Sequence, residues 1–284
     1  APAKKQEKPK PKKKKKKRRV FFRFFLLILV LFGVWYAGTF TLKTTEVTIT
    51  SPQIEGEITI VQISDLHGFT FGRENRNLID RIQEADPDFV VVTGDMYTAG
   101  DEEGQNTAVK LLGRLAELYP VYSVHGEHDN DRDYEACLTE AGVDVLDYEW
   151  RDIAVGNTTV RLYGITNVYY TDTFDLTNAF TLDQSVYNIL LAHITNFEDF
   201  ADFGMDLSIC GDTHGGQVRL PYLGGLINQG IWLPEQKEGE EKYVKGLYSM
   251  GDKKLFVSSG LGSYPIPVRF LNRPEIAVIH LKGQ

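Results

Sequence analysis

The sequence has few cysteines, few acidic residues at its N-terminus and relatively few basic residues elsewhere. Only two of its 284 residues are cysteines, Cys137 and Cys210. Cys137 falls on the apolar face of a predicted helix, and Cys210 ends a predicted strand. We therefore expect two buried thiols rather than a disulfide or a cysteine-based metal site. No internal repeat is visible.

Basic residues are scarce outside the N-terminus. Residues 1–23 hold 13 of the 31 Lys and Arg, and only Glu7 is acidic there. Residues 24–284 therefore carry 18 basic and 38 acidic groups, a formal charge of −20. Nucleic-acid binding needs a basic surface, so we expect no nucleic-acid partner for this part. With 42% hydrophobic residues, the chain can bury the core of one catalytic-sized domain.

No charged residue occurs in the nineteen residues from Phe24 to Leu42. A helix of that length covers roughly 28 Å, about one hydrocarbon core. We predict a transmembrane signal-anchor helix over residues 20–42, after a disordered basic tail over residues 1–19. A cleaved signal peptide is the alternative, but the apolar run is longer than the usual h-region and no clear cleavage site follows.

The basic flank also predicts orientation, because basic flanks stay in the cytoplasm. We therefore expect the tail inside the cell and residues 43–284 outside, in the cell membrane of a single-pass protein. The polybasic tail would also be attracted to anionic lipid. A cytoplasmic nucleic acid is the less favoured partner for it.

Predicted strands and helices alternate through the rest of the chain. Apolar runs such as Phe89 to Thr93 are typical of strands covered on both faces. Helical spacing of apolar residues predicts helices near residues 74–86, 105–118 and 132–141. This alternation indicates a layered α/β domain with much parallel pairing, in which ligands gather where the carboxyl ends of strands meet.

The predicted domain covers residues 57–284 and follows a linker over residues 43–56. Residues 166–184 have no clear period and are predicted to be an irregular surface region. Residues 235–245 form a charged stretch.

Five predicted strands end in residues of types that bind metals. These are Asp65 with His67, Asp95, Glu127 with His128, His193, and Asp212 with His214. One histidine at a strand end is more often structural than a ligand. Eight ligand-type residues at five strand ends instead indicate a metal site.

Other candidates at or near this set have two interpretations. His125 could tune the site or be structural, and His280 in the last strand is interpreted as structural. Arg219 and Arg269 are candidates for contacts with substrate anions, although solvated or structural ion pairs are favoured for them. An apolar loop that includes Tyr222 and Leu223 could contact the bilayer, with core packing as the default interpretation.

The order of these motifs resembles that of the calcineurin-like metallophosphoesterases, and especially their membrane-anchored bacterial members. The family pattern is Asp-x-His, Gly-Asp, Gly-Asn-His-Asp, His and Gly-His-x-His, and in the membrane-anchored members Gly-Gly-Gln follows, as Gly215, Gly216 and Gln217 do here. The resemblance spans roughly residues 57–281. It implies an α/β sandwich of two mixed sheets flanked by helices, here preceded by one transmembrane helix.

The resemblance also implies roles at a centre of two divalent metal ions. Asp65, His67 and His214 would hold the first metal, and Asp95 would bridge both. Glu127, His193 and Asp212 would complete the second. His128 would act at the leaving-group oxygen as a general acid or electrostatic partner, held by Asp129.

Two positions depart from the family pattern. Glu127 stands where Asn is usual, and Asp212 stands where the pattern has His. Both changes put carboxylates at the second metal, which favours Mn²⁺ or Mg²⁺ over Zn²⁺ there; Fe is a further alternative. Retuning of the site is the favoured interpretation and loss of function the alternative.

These inferences predict a metal-dependent phosphoric ester hydrolase. We expect a phosphodiesterase that cleaves a lipid-linked or cell-envelope phosphoester by means of a metal-bridged hydroxide. One alternative is a phosphomonoesterase or pyrophosphatase acting on a lipid carrier. Another is a catalytically inactive, metal-binding envelope protein.

Overall fold

The computed structural model describes residues 13–166, 176–228, 231–232 and 242–284. The predicted irregular region, residues 166–184, and the charged stretch, residues 235–245, therefore lie partly outside the described residues. Nothing in the structure bears on residues 1–12 of the predicted tail.

Strands and helices alternate along the chain as the sequence predicts. In chain order the strands are β1 (Lys43–Thr50), β2 (Glu57–Ile63), β3 (Phe89–Thr93), β4 (Val121–Val124), β5 (Asp144–Val145), β6 (Glu149–Val155), β7 (Thr158–Gly164), β8 (Tyr187–Leu191), β9 (Leu207–Cys210), β10 (Arg219–Leu220), β11 (Gly224–Gly225), β12 (Ile227–Asn228), β13 (Ile231–Trp232), β14 (Gly246–Met250), β15 (Lys253–Val257) and β16 (Glu275–Lys282). The α-helices are α1 (Lys13–Phe40), α2 (Arg76–Ala85), α3 (Glu102–Ala116), α4 (Tyr134–Glu140) and α5 (Phe197–Phe203).

Two mixed sheets of six strands each form the body of the domain. The first has the order β1-β16-β2-β3-β4-β5, and all its pairs are parallel except β16 with β2. The second has the order β14-β15-β9-β8-β7-β6, with antiparallel pairs at both edges and parallel pairs between. The two short hairpins, β10–β11 and β12–β13, lie apart from both sheets.

The sheets pack face to face, and helices cover their outer faces. Along β2, alternate side chains point in opposite directions. Ile58 and Ile60 join the cluster between the sheets, where they meet Ile189 of β8, whereas Val61 and Ile63 join the cluster under α2, α3 and α4. A third cluster packs α5 against the second sheet. The predicted α/β sandwich of two mixed sheets flanked by helices is therefore confirmed.

Two boundaries differ from the sequence prediction. The predicted linker, residues 43–56, begins with β1, which pairs with β16 over eight residues and so belongs to the folded domain. Helix α1 begins at Lys13, whereas residues 1–19 are predicted to be disordered. Lysine is a good helix former, so the basic residues from Lys13 continue the helix of the apolar segment.

Helix α1 contains the predicted membrane segment. Within it, Lys17–Phe40 is long and apolar enough to cross a membrane, and by the same measure it could be a signal sequence. Large apolar side chains from Val20 to Phe32 are exposed. The end of the helix, in contrast, packs closely on the domain. Thr39 Oγ1 accepts a hydrogen bond from the Arg269 amide at 3.1 Å, and a Cβ at Gly38 would lie 2.6 Å from the Arg269 carbonyl oxygen.

From the close packing between the two sheets we predict how much a cavity there lowers the stability of the protein. Ile189 is fully buried in β8, so Ile189→Ala should lower the free energy of unfolding by about 2–5 kcal/mol. The matched control is Leu118→Ala, at a position that is 47% exposed, where a change within about 0.5 kcal/mol is expected. Urea unfolding of the full chain in detergent measures both. Equal losses in the two variants would contradict this packing.

Candidate metal centre

The predicted ligands follow the carboxyl ends of five neighbouring strands, β2, β3, β4, β8 and β9. Most of them have an unusual backbone conformation. Five of the seven have φ between 47° and 70°, namely Asp65, His67, Asp95, Asp212 and His214. Side chains other than glycine rarely adopt this left-handed region, and strain of this kind concentrates at functional sites. The chain therefore turns sharply as it leaves β2, β3 and β9, and these turns help to bring the side chains to one edge of the sandwich.

Two glycines leave room for the carboxylates. A side chain at Gly126 would overlap the Asp95 carboxylate, and one at Gly211 would overlap Ser64 Oγ and lie 2.9 Å from Asp65 Oδ2. These positions require glycine because the loops pass directly behind the site.

Asp65, His67 and His214 form a first group of potential ligands. Each offers one ligand atom, and these atoms lie within 4.8 Å of one another. The Nε2 atoms of His67 and His214 are 3.2 Å apart, and His67 Nδ1 is 3.1 Å from Thr98 Oγ1. Asp65 Oδ1 accepts a hydrogen bond from the Asp212 amide at 3.0 Å. This is the set predicted for the first metal.

A second group surrounds Asp95. The buried His193 ring donates from Nδ1 to the Thr93 carbonyl at 2.6 Å, which turns its Nε2 toward Asp95 Oδ2 at 3.3 Å and Asp212 Oδ1 at 3.7 Å. Ligand atoms of Asp65, Asp95 and His193 lie within 4.8 Å of one another. Asp95 is also grouped with Glu127 and His128. Asp65 is therefore common to the first group and the group with His193, and Asp95 Oδ2 lies 3.7 Å from His67 Nε2 of the first group.

The protonation of these groups depends mainly on their burial. Burial lowers the pKa of His67 to about 4 and that of His214 well below its usual value, so both rings are neutral and able to bind a cation. Burial raises the pKa of Asp65 to about 7. Burial would also raise the pKa of Asp95, but the His193 ring, the His67 ring and the His128 amide together lower that pKa below its usual value. Asp95 in turn raises the pKa of His193 in spite of burial.

The side chains present fit divalent cations. Asp65 Oδ2 is buried and has no hydrogen-bond partner among the described residues, and the same is true of His193 Nε2. Such groups are costly without a partner. Carboxylate and imidazole donors suit Mn²⁺, Zn²⁺ and Fe, and carboxylates also suit Mg²⁺. A bound cation would thus supply the partner that each of these atoms lacks.

His128 lies at the more open side of the centre, with its side chain 21% exposed. Its Nε2 is 3.4 Å from Glu127 Oε1 and 4.0 Å from Asp95 Oδ2, and the hydrogen bond to Glu127 raises its pKa. A protonated ring at this place suits a general acid. The predicted role of His128 stays a prediction, because these distances would also let it bind a cation.

Asp129 contacts the loops rather than the His128 ring. Its carboxylate accepts hydrogen bonds from the amides of Met96 at 2.9 Å and Gly126 at 3.1 Å. Within the described residues it has no hydrogen bond to the ring of His128. Asp129 therefore orders the backbone that carries His128, and joins the loop after β3 to the loop after β4.

The segment before β16 brings further residues to the centre. The Tyr264 ring stacks on His67, with centroids 5.0 Å apart, and lies 4.5 Å from the His128 ring. Arg269 is fully buried: its Nε donates to the Gly262 carbonyl at 2.7 Å, and its Nη2 lies 3.4 Å from His214 Nδ1. Tyr264 was not predicted as a site residue, because no local sequence pattern marks it. Arg269, a candidate for substrate contact, instead lies behind the ligands.

Comparisons with known proteins identify the family to which the chain belongs. The family model for calcineurin-like phosphoesterases matches residues 58–216, more than half of the chain, and the chain belongs to that family. It is 30% identical to the uncharacterised metallophosphoesterase YkuE of Bacillus subtilis (strain 168), over 85% of this chain and 86% of that protein. It is 26% identical to the phosphodiesterase YaeI of Escherichia coli (strain K12), over 70% of this chain and 72% of that one.

Among solved structures, the sulfate thiohydrolase SoxB of Thermus thermophilus aligns with a TM-score of 0.43 and 14% identity, over 81% of this chain and 57% of that one. The predicted family and fold are confirmed by the family match. The assignment of individual residues to each metal, and the metal identity, stay predictions.

The raised pKa of Asp65 predicts how metal affinity depends on pH. Because burial raises this pKa to about 7, a proton occupies the carboxyl group below that pH and competes with the cation. The raised pKa of His193 acts in the same direction, since that ring must also lose a proton. Apparent Mn²⁺ affinity of the full chain should therefore rise between about pH 6 and 8, by up to roughly tenfold per unit for each proton released. Calorimetric titration with release of protons measures this, and a constant affinity over the range would contradict it.

Proposed function

We propose that this protein is a membrane-anchored phosphoesterase with two divalent metals, most simply a phosphodiesterase for a lipid-linked or cell-envelope phosphoester. The observation that carries the proposal is the convergence of seven ligand-type side chains from five strand ends into overlapping groups that share Asp65 and Asp95. Family membership supports phosphoric ester hydrolysis, and the name of the relative YaeI supports the diesterase activity.

The chain's own residues can perform the remaining steps. Two bound divalent cations would supply an activated water and stabilise charge on a phosphoryl group. His128, whose raised pKa favours the protonated ring, would give its proton to the leaving-group oxygen. Asp129 would keep the His128 loop in place through the Met96 and Gly126 amides. No side-chain nucleophile is needed.

Charge supports a diester over a monoester. Glu127 and Asp212 are carboxylates where the family pattern has a neutral amide and an imidazole, so the centre is more negative than that pattern. A phosphomonoester carries nearly two charges at neutral pH, whereas a diester carries one. Repulsion by the two extra carboxylates is therefore weaker for the diester. The same carboxylates, being hard oxygen donors, support Mn²⁺ or Mg²⁺ at the second metal.

The N-terminal helix supports the proposed location. Lys17–Phe40 is long enough to span the bilayer, and basic residues precede its apolar part. Basic flanks stay in the cytoplasm, which would place the metal centre outside the cell. Protease added to intact cells should then remove the globular domain, and protection of that domain until the cells are lysed would contradict this orientation.

Turnover by metal-depleted and reconstituted full-length protein tests the chemistry. Mn²⁺, Mg²⁺ or Zn²⁺ is returned to the protein in detergent, with bis(p-nitrophenyl) phosphate and p-nitrophenyl phosphate as paired substrates. We expect metal-restored hydrolysis of the diester. Asp95→Asn should lose both bound metal and turnover, because its carboxylate lies between the two groups. Asp252→Asn, in the exposed turn between β14 and β15, is the matched control.

A second pair separates catalysis from metal binding. His128→Gln should keep its metal and lose about 10²- to 10⁴-fold in kcat if the ring acts as general acid. His280→Gln is the control. His280 lies in β16, away from the centre, and its Nδ1 is 3.0 Å from Glu57 Oε1. Preferred hydrolysis of the monoester would instead favour a phosphomonoesterase. Two bound metals without turnover on either substrate would favour the metal-binding protein that does not catalyse.

A further inference from the structure

The membrane helix and the metal centre share one segment of chain, residues 263–271. On one side this segment is bonded to α1: Trp35 Nε1 donates to the Pro267 carbonyl at 3.4 Å, and Thr39 Oγ1 is bonded to the backbone of Arg269. On the other side Tyr264 covers the rings of His67 and His128. The open side of the centre therefore lies next to the point where the helix joins the domain.

The length of the charge-free run, residues 24–42, sets the depth in the bilayer at which α1 joins the domain. A hydrocarbon core of about 30 Å needs roughly 20 helical residues, so a run that begins after Arg23 reaches the outer edge of the core at about residue 43. Trp35 and Thr39 then lie within the outer part of the bilayer, and a tilted helix would place them deeper. Because residues 263–271 are bonded to them, the segment must lie at the level of the membrane surface.

Exposed apolar side chains occupy this level. Ile266 is 38% exposed and Leu271 is 57% exposed. Tyr222 and Leu223 are also exposed and lie in the turn of the β10–β11 hairpin. The Arg219 amide of this hairpin donates a hydrogen bond to the carbonyl of Phe270, the residue before Leu271, at 2.9 Å. We call Tyr222, Leu223, Ile266 and Leu271 the apolar rim. Grouped exposed residues of this kind mark an interaction surface.

A charged group marks the water side of the same region. The Arg273 guanidinium donates from Nε to the Thr41 carbonyl at 3.2 Å and also binds the Leu42 carbonyl, so it satisfies carbonyls at the end of α1. Arginine at such a depth is typical of the headgroup layer. The apolar rim therefore suits the edge of the hydrocarbon core, and Arg273 suits the headgroup layer next to it.

We propose that the apolar rim lies in the outer surface of the bilayer, so that the metal centre opens onto the headgroup layer and receives its phosphoester from the membrane rather than from the surrounding water. The proposal rests on the membrane anchor of the proposed function. The partner of the apolar rim is the lipid surface itself. Because α1 is only long enough to cross the bilayer, the segment bonded to its end must stay at that surface.

Depth measurement with nitroxide labels tests the proposal. Single cysteines are introduced into the full chain as Ile266→Cys, Leu271→Cys and Leu118→Cys, with Cys137→Ser to remove the half-buried thiol; Cys210 is fully buried. The proteins are placed in phosphatidylcholine vesicles that contain phosphatidylglycerol. Power saturation compares collision of each label with oxygen, which concentrates in the bilayer, and with a water-soluble nickel chelate.

Leu118→Cys is the matched control, because Leu118 is 47% exposed but precedes β4, at the edge of the sandwich opposite the centre. We expect the oxygen-to-nickel ratio at both rim labels to exceed that at Leu118 by several-fold. Tyr222→Cys replaces any rim variant that fails to fold. Rim labels as accessible to nickel as Leu118 would overturn the proposal.

A label at Leu29→Cys, in the middle of α1, distinguishes the two possible failures. If Leu29 is in lipid and the rim is in water, the rim proposal is wrong and the anchor stands. If Leu29 is itself in water, the anchor in the proposed function fails, and the rim proposal fails with it.

Discussion

The buried Asp95 carboxylate is the charge around which the centre is built. It lies 3.3 Å from His193 Nε2 and 3.7 Å from His67 Nε2, and it accepts the His128 amide at 2.9 Å. An ionised carboxylate removed from water costs several kcal/mol unless it is paired and hydrogen-bonded. The loops after β2, β4 and β8 must therefore meet the loop after β3. The chain adopts left-handed backbone conformations at Asp65, His67 and Asp95 as it leaves β2 and β3.

Asp129 imposes a related constraint on the backbone. Burial raises its pKa to about 7, and its carboxylate is satisfied by main-chain amides from two loops. By joining the loop that carries Asp95 to the loop that carries His128, these hydrogen bonds fix the distance between the two residues. No side chain of the predicted ligands takes part in them. Gly126 follows from it, since any side chain there would overlap the Asp95 carboxylate. Gly126, Asp95 and Asp129 together allow the loops after β3 and β4 to pack closely against each other.

The strand ends were predictable from sequence because each signal is local. A continuous apolar run followed by a turn and a ligand-type residue can be recognised within about ten residues. Three of these five runs form β2, β3 and β4 of the first sheet, and two form β8 and β9 of the second. The edge strand β14 was missed, since its side chains alternate only between half-buried and exposed. β1 was assigned to a linker because its pairing partner, β16, lies more than 200 residues away.

Tyr264 shows the same limit at the centre itself. It reaches His67 and His128 because Phe270 is bonded to the Gln217 carbonyl and Thr39 is bonded to Arg269. Each contact joins segments far apart in sequence, and none leaves a period or a motif. Sequence could therefore identify the candidate ligands, but it could not identify the ring that covers them or the element that holds this ring in place.

The contact between α1 and Arg269 makes this helix part of the centre's support. Gly38 allows the helix to approach the Arg269 carbonyl, Thr39 binds both polar groups of that residue's backbone, and the Arg269 side chain extends behind His214. A truncated domain beginning after Phe40 would lose these bonds to the Arg269 backbone. Metal affinity and turnover of such a fragment would then describe a centre whose supporting segment has lost its contacts with α1. The helix is better regarded as a structural element of the active centre than as a separable tether.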